Sequence, residues 1–188
     1  MGGSAKGLFL DRDGVINTEK DYVHEIGEFE FIGGVFETCA TFQKAGFRIV
    51  IVTNQAGIGR GYYSESDYYR LTDWMLGAFR GHGICIAGVY FCPHHPTAGV
   101  GSYRKDCRCR KPEPGMLLRA SVELGIDLSS SILIGDKESD LEAGRRAKIG
   151  RLVLVRSGHP PSLTAKGMAD LVIDSIADID ALNALLDT

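Results

Sequence analysis

Short apolar runs and longer amphipathic stretches take turns along this chain. The runs at 8–10, 47–52, 84–91, 131–134 and 152–155 are rich in Ile, Val, Leu and Phe, as strands buried on both faces of a sheet are. Between them lie helical stretches. Residues 35–45 predict a helix that stops at Gly46, and residues 114–124 one that stops at Gly125, both glycines being suited to a helix C-cap. Residues 64–79 open with Ser64 and Asp67 in capping-box spacing and place Tyr68, Leu71, Met75 and Phe79 on one face. Another helix is predicted over 138–148, before Gly150. A short strand at 171–173 and an amphipathic tail at 176–186 close the chain. This alternation predicts an α/β fold with a mostly parallel sheet and right-handed crossovers. No repeat, low-complexity tract or linker interrupts residues 1–188, so the chain reads as one domain.

In such sheets ligands bind beyond the carboxyl ends of the strands, so the residues after each apolar run carry the most information. The first run leads into Asp11-Arg12-Asp13-Gly14. Two carboxylates two positions apart can face one crevice, which is costly unless a cation lies between them. The second run leads into Thr53-Asn54-Gln55, a hydroxyl and two amides placed to bind an anion, and the fourth into Gly135-Asp136-Lys137, with Asp140 one helical turn on. Cys109-Arg110-Lys111-Pro112 precedes the helix at 114–124. Taken singly, each has a plain account. Asp136 and Asp140 suit the positive end of a helix, Thr53 suits a turn, and Lys111 suits a solvated surface. The glycine-rich stretch 57–61 follows the second strand instead of joining the first strand to its helix, so it is not a dinucleotide fingerprint. It reads as a pliable loop beside the anion-binding Thr53-Asn54-Gln55, with Arg60 reaching the bound group, or equally as a plain turn.

Composition narrows the class. With 21 Lys and Arg against 24 Asp and Glu, the net charge of −3 argues against a general nucleic-acid binder. No apolar run reaches the roughly 18–20 residues of a membrane span, and the opening MGGSAK lacks the apolar core of a secretory signal, so a cytoplasmic protein is expected. The five cysteines sharpen this expectation. In a reducing compartment, Cys92, His94, Cys107 and Cys109 read as two close pairs joined by a loop, a pattern suited to a tetrahedral structural Zn²⁺. His95 is an alternative to His94 on spacing alone. Residues 104–111 hold Arg104, Lys105, Arg108, Arg110 and Lys111 against one acid, Asp106. A zinc clip over about 92–109 would therefore fasten the most basic part of an acidic chain and aim Arg110 and Lys111 at an anion.

In order, these residues resemble the haloacid dehalogenase (HAD) superfamily, whose motifs are DxD, Thr or Ser, Lys, and an acidic pair. The resemblance implies a three-layer Rossmann-like fold and a phosphatase that works through an aspartyl-phosphate. Asp11 would be the nucleophile, and Asp13 the acid and then the base. Thr53 and Lys111 would hold the phosphoryl group. Asp11, Asp13 through its backbone carbonyl, and Asp136 would be the protein ligands of a catalytic Mg²⁺. Only a helix and loop separate Asp13 from Thr53, so the enzyme is expected to lack a cap domain.

DRDG, TNQ, CPHHP, CRCRKP and GDK together, with YVHE at 22–25 and RSG at 156–158, resemble the heptose 1,7-bisphosphate 7-phosphatases within the histidinol-phosphatase-like subfamily. That family implies removal of the 7-phosphate from a sugar bisphosphate on the way to nucleotide-activated heptose for lipopolysaccharide. It implies substrate contacts from Glu19, Tyr22, Asn54, Gln55, Arg110 and Lys137, and it favours His94 as the zinc ligand. Glu19 and Asp21 depart from the family's usual Asp and Gly. A histidinol-phosphate phosphatase is the nearest rival, and its cationic substrate sits poorly with the basic loop. A zinc-stabilised binding module with a dead core is a rival of another class, disfavoured by retention of Asp11, Asp13, Lys111 and Asp136. A capless core of this size can work as a monomer.

Overall fold

The computed structural model describes residues 4–186. In chain order its elements are β1 (Ala5–Leu10), α1 (Val35–Lys44), β2 (Phe47–Asn54), α2 (Ala56–Gly59), α3 (Glu65–Gly81), β3 (Ile86–Cys92), α4 (Gly115–Leu124), β4 (Ile126–Gly135), α5 (Glu138–Ala147), β5 (Arg151–Val155), α6 (Leu163–Met168), β6 (Leu171–Ile173) and α7 (Ile179–Asn183). The six strands form one parallel sheet in the order β3-β2-β1-β4-β5-β6. This is the three-layer α/β architecture that the alternation predicts.

The side-chain period of two in each strand divides the core between the two faces. Leu8, Leu10, Ile49, Ile51, Ile132, Ile134 and Val153 pack with Val35 and Phe42 of α1 and with Leu71, Met75 and Phe79 of α3. Phe9, Val50, Val52, Leu133, Leu152 and Leu154 pack on the other face with Met116 and Leu117 of α4 and Leu141 of α5. Because both faces are covered, the strands read as continuous apolar runs.

Several predicted boundaries shift for identifiable reasons. Ser64 caps α3, and its reciprocal bond with Asp67 is present. Ile84 does not begin β3, because its amide bonds back to Phe79 O in the terminal turn of α3. β4 starts five residues before the predicted 131, carrying its polar Ser129 and Ser130 outside the apolar run. α6 follows Pro160 and Pro161, and the Ser162 hydroxyl accepts from the Ala165 amide to start it. Its six residues are too few to show a helical period. The predicted tail at 176–186 holds only the short helix α7.

Candidate active site

Register brings the strand ends to one edge. Leu10 pairs with Ile51 of β2 and with Ile134 of β4, so Asp11, Thr53 and Asp136 all emerge on the same side of the sheet. Here the strand order turns outward in both directions from β1, the switch point at which open α/β sheets place their ligands.

At the centre lies the Lys111 ammonium. It forms ion pairs with Asp11 Oδ1 at 2.9 Å and Asp140 Oδ1 at 2.6 Å and donates a hydrogen bond to Val52 O at 2.9 Å. Lys111 is 3% exposed. Burial alone would lower its pKa, but the Asp11 and Asp140 carboxylates outweigh burial and hold it above the ordinary value. Asp140 also accepts the Lys137 amide through Oδ2 at 3.0 Å, so it caps α5 and anchors Lys111 at once. Asp140 thus charges the start of α5, as its plain account has it, and also pairs with Lys111. Asn54 pins the lysine's backbone in two places, donating to Lys111 O at 3.0 Å and accepting from Lys111 N at 3.1 Å.

Asp13 sits in a second bracket. Arg12, 2% exposed, grips both of its oxygens at 2.8–3.2 Å and also donates to Val23 O. Asn17 Nδ2 and Gln55 Nε2 add bonds of 3.1 and 3.0 Å to Asp13. Burial pushes the Asp13 carboxyl up, yet the guanidinium and the amides overcome burial and keep it below the usual carboxylate range. Gln55 spends its other N–H on Thr53 Oγ1 at 2.8 Å and accepts from the Tyr63 hydroxyl at 2.6 Å. Its amide thus links Asp13 to Thr53, with no donor left over.

These groups open into a cavity of about 530 Å³, within the usual size of small-molecule sites. Glu19, Asp21, Tyr22, Arg60, Arg110, Lys137 and His159 line its upper wall. Lys137 pairs with Glu19 at 3.3 Å, and His159 Nδ1 lies 2.7 Å from Asp136 Oδ2. Asp21 and Tyr22 both take positive φ, 53° and 60°, as their loop bends over the cavity. Of the two readings of the stretch 57–61, the structure shows the turn. The first part of the stretch forms the turn α2 with Gly57 and Gly59 buried, and a Cβ on Gly59 would meet Pro93 O at 2.4 Å. This close packing sets Arg60 over the Tyr22 ring and beside His95 Nε2, at 3.2 Å.

Cys92, His94, Cys107 and Cys109 converge beside the cavity, their ligand atoms all within 4.8 Å of one another. The sulfur–sulfur distances are 3.2–3.5 Å, near the edge of about 3.8 Å that a tetrahedron with about 2.3 Å Zn–S bonds would have. His94 Nδ1 faces Cys92 and Cys109 Sγ at 3.6 and 3.3 Å. His95 instead accepts the Ala98 amide and meets Arg60, so the structure separates the two histidines where spacing could not.

A family model described as HAD-hydrolase-like matches residues 108–179. The D-glycero-beta-D-manno-heptose-1,7-bisphosphate 7-phosphatase of Photorhabdus laumondii is 49% identical over 172 residues, 92% of each chain. The enzyme of the same name from Escherichia coli K12 is 46% identical over 179 residues, 95% of this chain and 94% of its own. The chain belongs to this family of HAD-superfamily phosphatases. The crystal structure of the D,D-heptose 1,7-bisphosphate phosphatase from B. bronchiseptica, complexed with magnesium and phosphate, superposes with a TM-score of 0.80 at 28% identity, covering 97% of this chain and 99% of that one.

The carboxylates of this family member fit a hard cation. Asp11, Asp136 and Asp140 each place a buried oxygen within 4.8 Å of the others, and Asp136 Oδ1 is buried with no hydrogen-bond partner. Burial, reinforced by Asp11 and Asp140, pushes the Asp136 carboxyl up to about 8. Burial also raises Asp11, to about 6, against the pull of Lys111. One lysine does not neutralise three buried acids, and a divalent cation bound by oxygen would. The thiolate and imidazole set suits zinc on the same chemical grounds.

Arg12, Tyr63 and His159 complete the surroundings without having been singled out from sequence. Arg12 had a visible signal, a long cation between two acids. His159 directly follows the RSG motif after β5, one residue beyond where the motif was read.

Proposed function

We propose that the protein is a Mg²⁺-dependent phosphatase that removes the 7-phosphate of D-glycero-D-manno-heptose 1,7-bisphosphate. The observation that carries this reading is the pairing of Asp11 with buried Lys111 at the floor of a cavity whose zinc-loop side is basic. Asp11 Oδ1 is held by Lys111 and by the Arg12 amide at 2.8 Å, which leaves Oδ2 to attack phosphorus. The phosphorus–oxygen bond to the sugar's primary carbon then breaks as the aspartyl-phosphate forms. Thr53 donates a hydrogen bond to a phosphoryl oxygen, its own oxygen accepting from Gln55. Lys111 acts by its charge.

Asp13 in its protonated form delivers that proton to the departing alkoxide, and the carboxylate this leaves then accepts one from the water that hydrolyses the intermediate. Its Arg12 clamp favours the carboxylate, the form needed for that second step. Asp11, Asp136 and the Asp13 carbonyl would hold the magnesium, which would supply positive charge against the phosphoryl oxygens. Cys92, His94, Cys107 and Cys109 would hold a zinc ion whose role would be structural, since four protein ligands suit a closed site.

Arg110, whose guanidinium donates to His94 O at 3.2 Å, and Arg60 face the 1-phosphate. Glu19, Tyr22, Asn54, Gln55 and Lys137 shape the same cavity, Asn54 and Gln55 by holding Lys111 and Asp13. A capless core of this size, with every proposed group on one chain, can work as a monomer of one domain. The place of work is the cytoplasm, where the thiols stay reduced. No helix among the described residues is long and apolar enough to cross a membrane.

The test compares Mg²⁺-dependent phosphate release from both heptose 1,7-bisphosphate anomers, fructose 1,6-bisphosphate and histidinol phosphate. The β-heptose compound is expected to give the highest kcat/KM, with the anomeric phosphate retained by ³¹P NMR. A preference for histidinol phosphate overturns the substrate assignment.

A further inference from the structure

Asp136 is held in a way that its proposed role as a cation ligand does not by itself require. The turn of Ser157, Gly158 and His159 leaves the end of β5 and folds across the Asp136 side chain. His159 Nδ1 donates to Asp136 Oδ2 at 2.7 Å, while Oδ1 stays buried with no hydrogen-bond partner. The same carboxylate lies against two glycines from two different loops. A Cβ on Gly158 would meet Asp136 Oδ2 at 2.1 Å, and one on Gly14, at φ +85°, would meet it at 2.6 Å. Ser157 ties those loops together, its hydroxyl donating to Gly14 O at 2.7 Å.

We infer that this turn is a positioning strap, in which His159 fixes one oxygen of Asp136 so that the other is presented to the divalent cation. A carboxylate free to rotate would offer either oxygen and lose that freedom on each binding event. The strap imposes the loss during folding instead. Contacts of this outer kind on a metal ligand are typically worth about 10–100-fold in metal affinity. His159 is 42% exposed at its side chain and also lies 4.0 Å from Glu19 Oε2, so a direct contact with substrate is the competing role.

The two roles separate when metal binding is measured without substrate. The inference rests on Asp136 as a cation ligand, and it stands or falls independently of which sugar phosphate is hydrolysed. Mn²⁺ titrated into the zinc-loaded protein, followed by the loss of its free-ion EPR signal, gives the dissociation constant directly. His159→Ala should raise that constant about tenfold or more. His159→Asn, which keeps a donor near the Nδ1 position, should recover most of the affinity. Ser157→Ala, which removes only the tie to Gly14, should raise it about threefold and serves if the His159 variants do not fold, as judged by circular dichroism. Unchanged Mn²⁺ affinity in the folded variants overturns the inference. So does a rise in KM for the sugar bisphosphate with Mn²⁺ affinity intact, which would move His159 to the substrate.

Discussion

The two halves of the cavity are held by different physics. The acidic floor stands on strand ends: Asp11 and Asp136 continue β1 and β4, the Asp11 amide bonds to Ile134 O at 3.0 Å, and Lys111 is fixed by two ion pairs and a hydrogen bond to Val52 O. The basic rim has no such frame. From Cys92 to Lys111 the only regular element is the 3-10 turn Gly101–Tyr103, and the thiol and imidazole ligands gather the segment. Where chemistry demands sub-ångström placement the fold uses its sheet, and where it demands a charged surface it uses a metal clip. The two meet at a single step in the chain, from Cys109 to Arg110 to Lys111, so the clip also sets where the floor's lysine enters.

Loss of the floor's nucleophile should have the largest effect. Asp11→Asn is nearly isosteric and keeps an oxygen for the Lys111 contact, so the fold should survive, while phosphate release should fall by roughly 10⁴-fold or more. Circular dichroism together with a phosphate-release assay checks both parts. Turnover near that of the parent would remove the covalent mechanism and make the floor only a binding surface.

The rim should respond differently. Stripping zinc, or Cys107→Ser, removes the clip but leaves the sheet. If zinc is present at about a hundred times its Kd, linkage is worth about 2.7 kcal/mol, or about 5–10 °C in Tm for a chain of this size. KM for the sugar bisphosphate should rise more than kcat falls, because Arg110 is aimed by the clip whereas Asp11 and Asp13 are not. Elemental analysis alongside calorimetry provides the check. An unchanged melting curve, or equal effects on KM and kcat, would abolish the division between floor and rim.

The same division governs how much could be read from sequence. The floor was legible because strand ends announce themselves: an apolar run stops, and the next residue carries the chemistry, as at Leu10 to Asp11 and Gly135 to Asp136. Zinc-ligand spacing was legible for the same local reason. Contacts across the fold were not. Nothing near Gln55 in sequence shows that its amide spans Asp13 and Thr53, and nothing near Ser157 shows that it reaches Gly14. Arg12 looked like a spacer in a DxD pattern, because a motif records which positions matter for chemistry and not which side chain clamps its neighbour. At 57–61 a pliable loop and a plain turn stay equally open in sequence, since glycines that allow close packing and glycines that allow motion look identical there, and the structure shows the turn.

Arg60 gives the smallest and most discriminating test of the rim. It comes from α2, tied to β2 and not to the zinc loop, yet it meets His95 of that loop and the Tyr22 ring of the first loop. Its Nε, buried, has no hydrogen-bond partner among the described residues, a donor in need of an acceptor such as a phosphate oxygen. Arg60→Ala should therefore raise KM for the bisphosphate about three- to tenfold, the worth of roughly 1 kcal/mol for a partly solvated charge contact. KM for a heptose 7-phosphate lacking the anomeric phosphate should barely change, and kcat should hold for both. If both substrates lose equally, Arg60 braces Tyr22 and His95 and does not read the second phosphate. The rim's specificity would then fall to Arg110 alone.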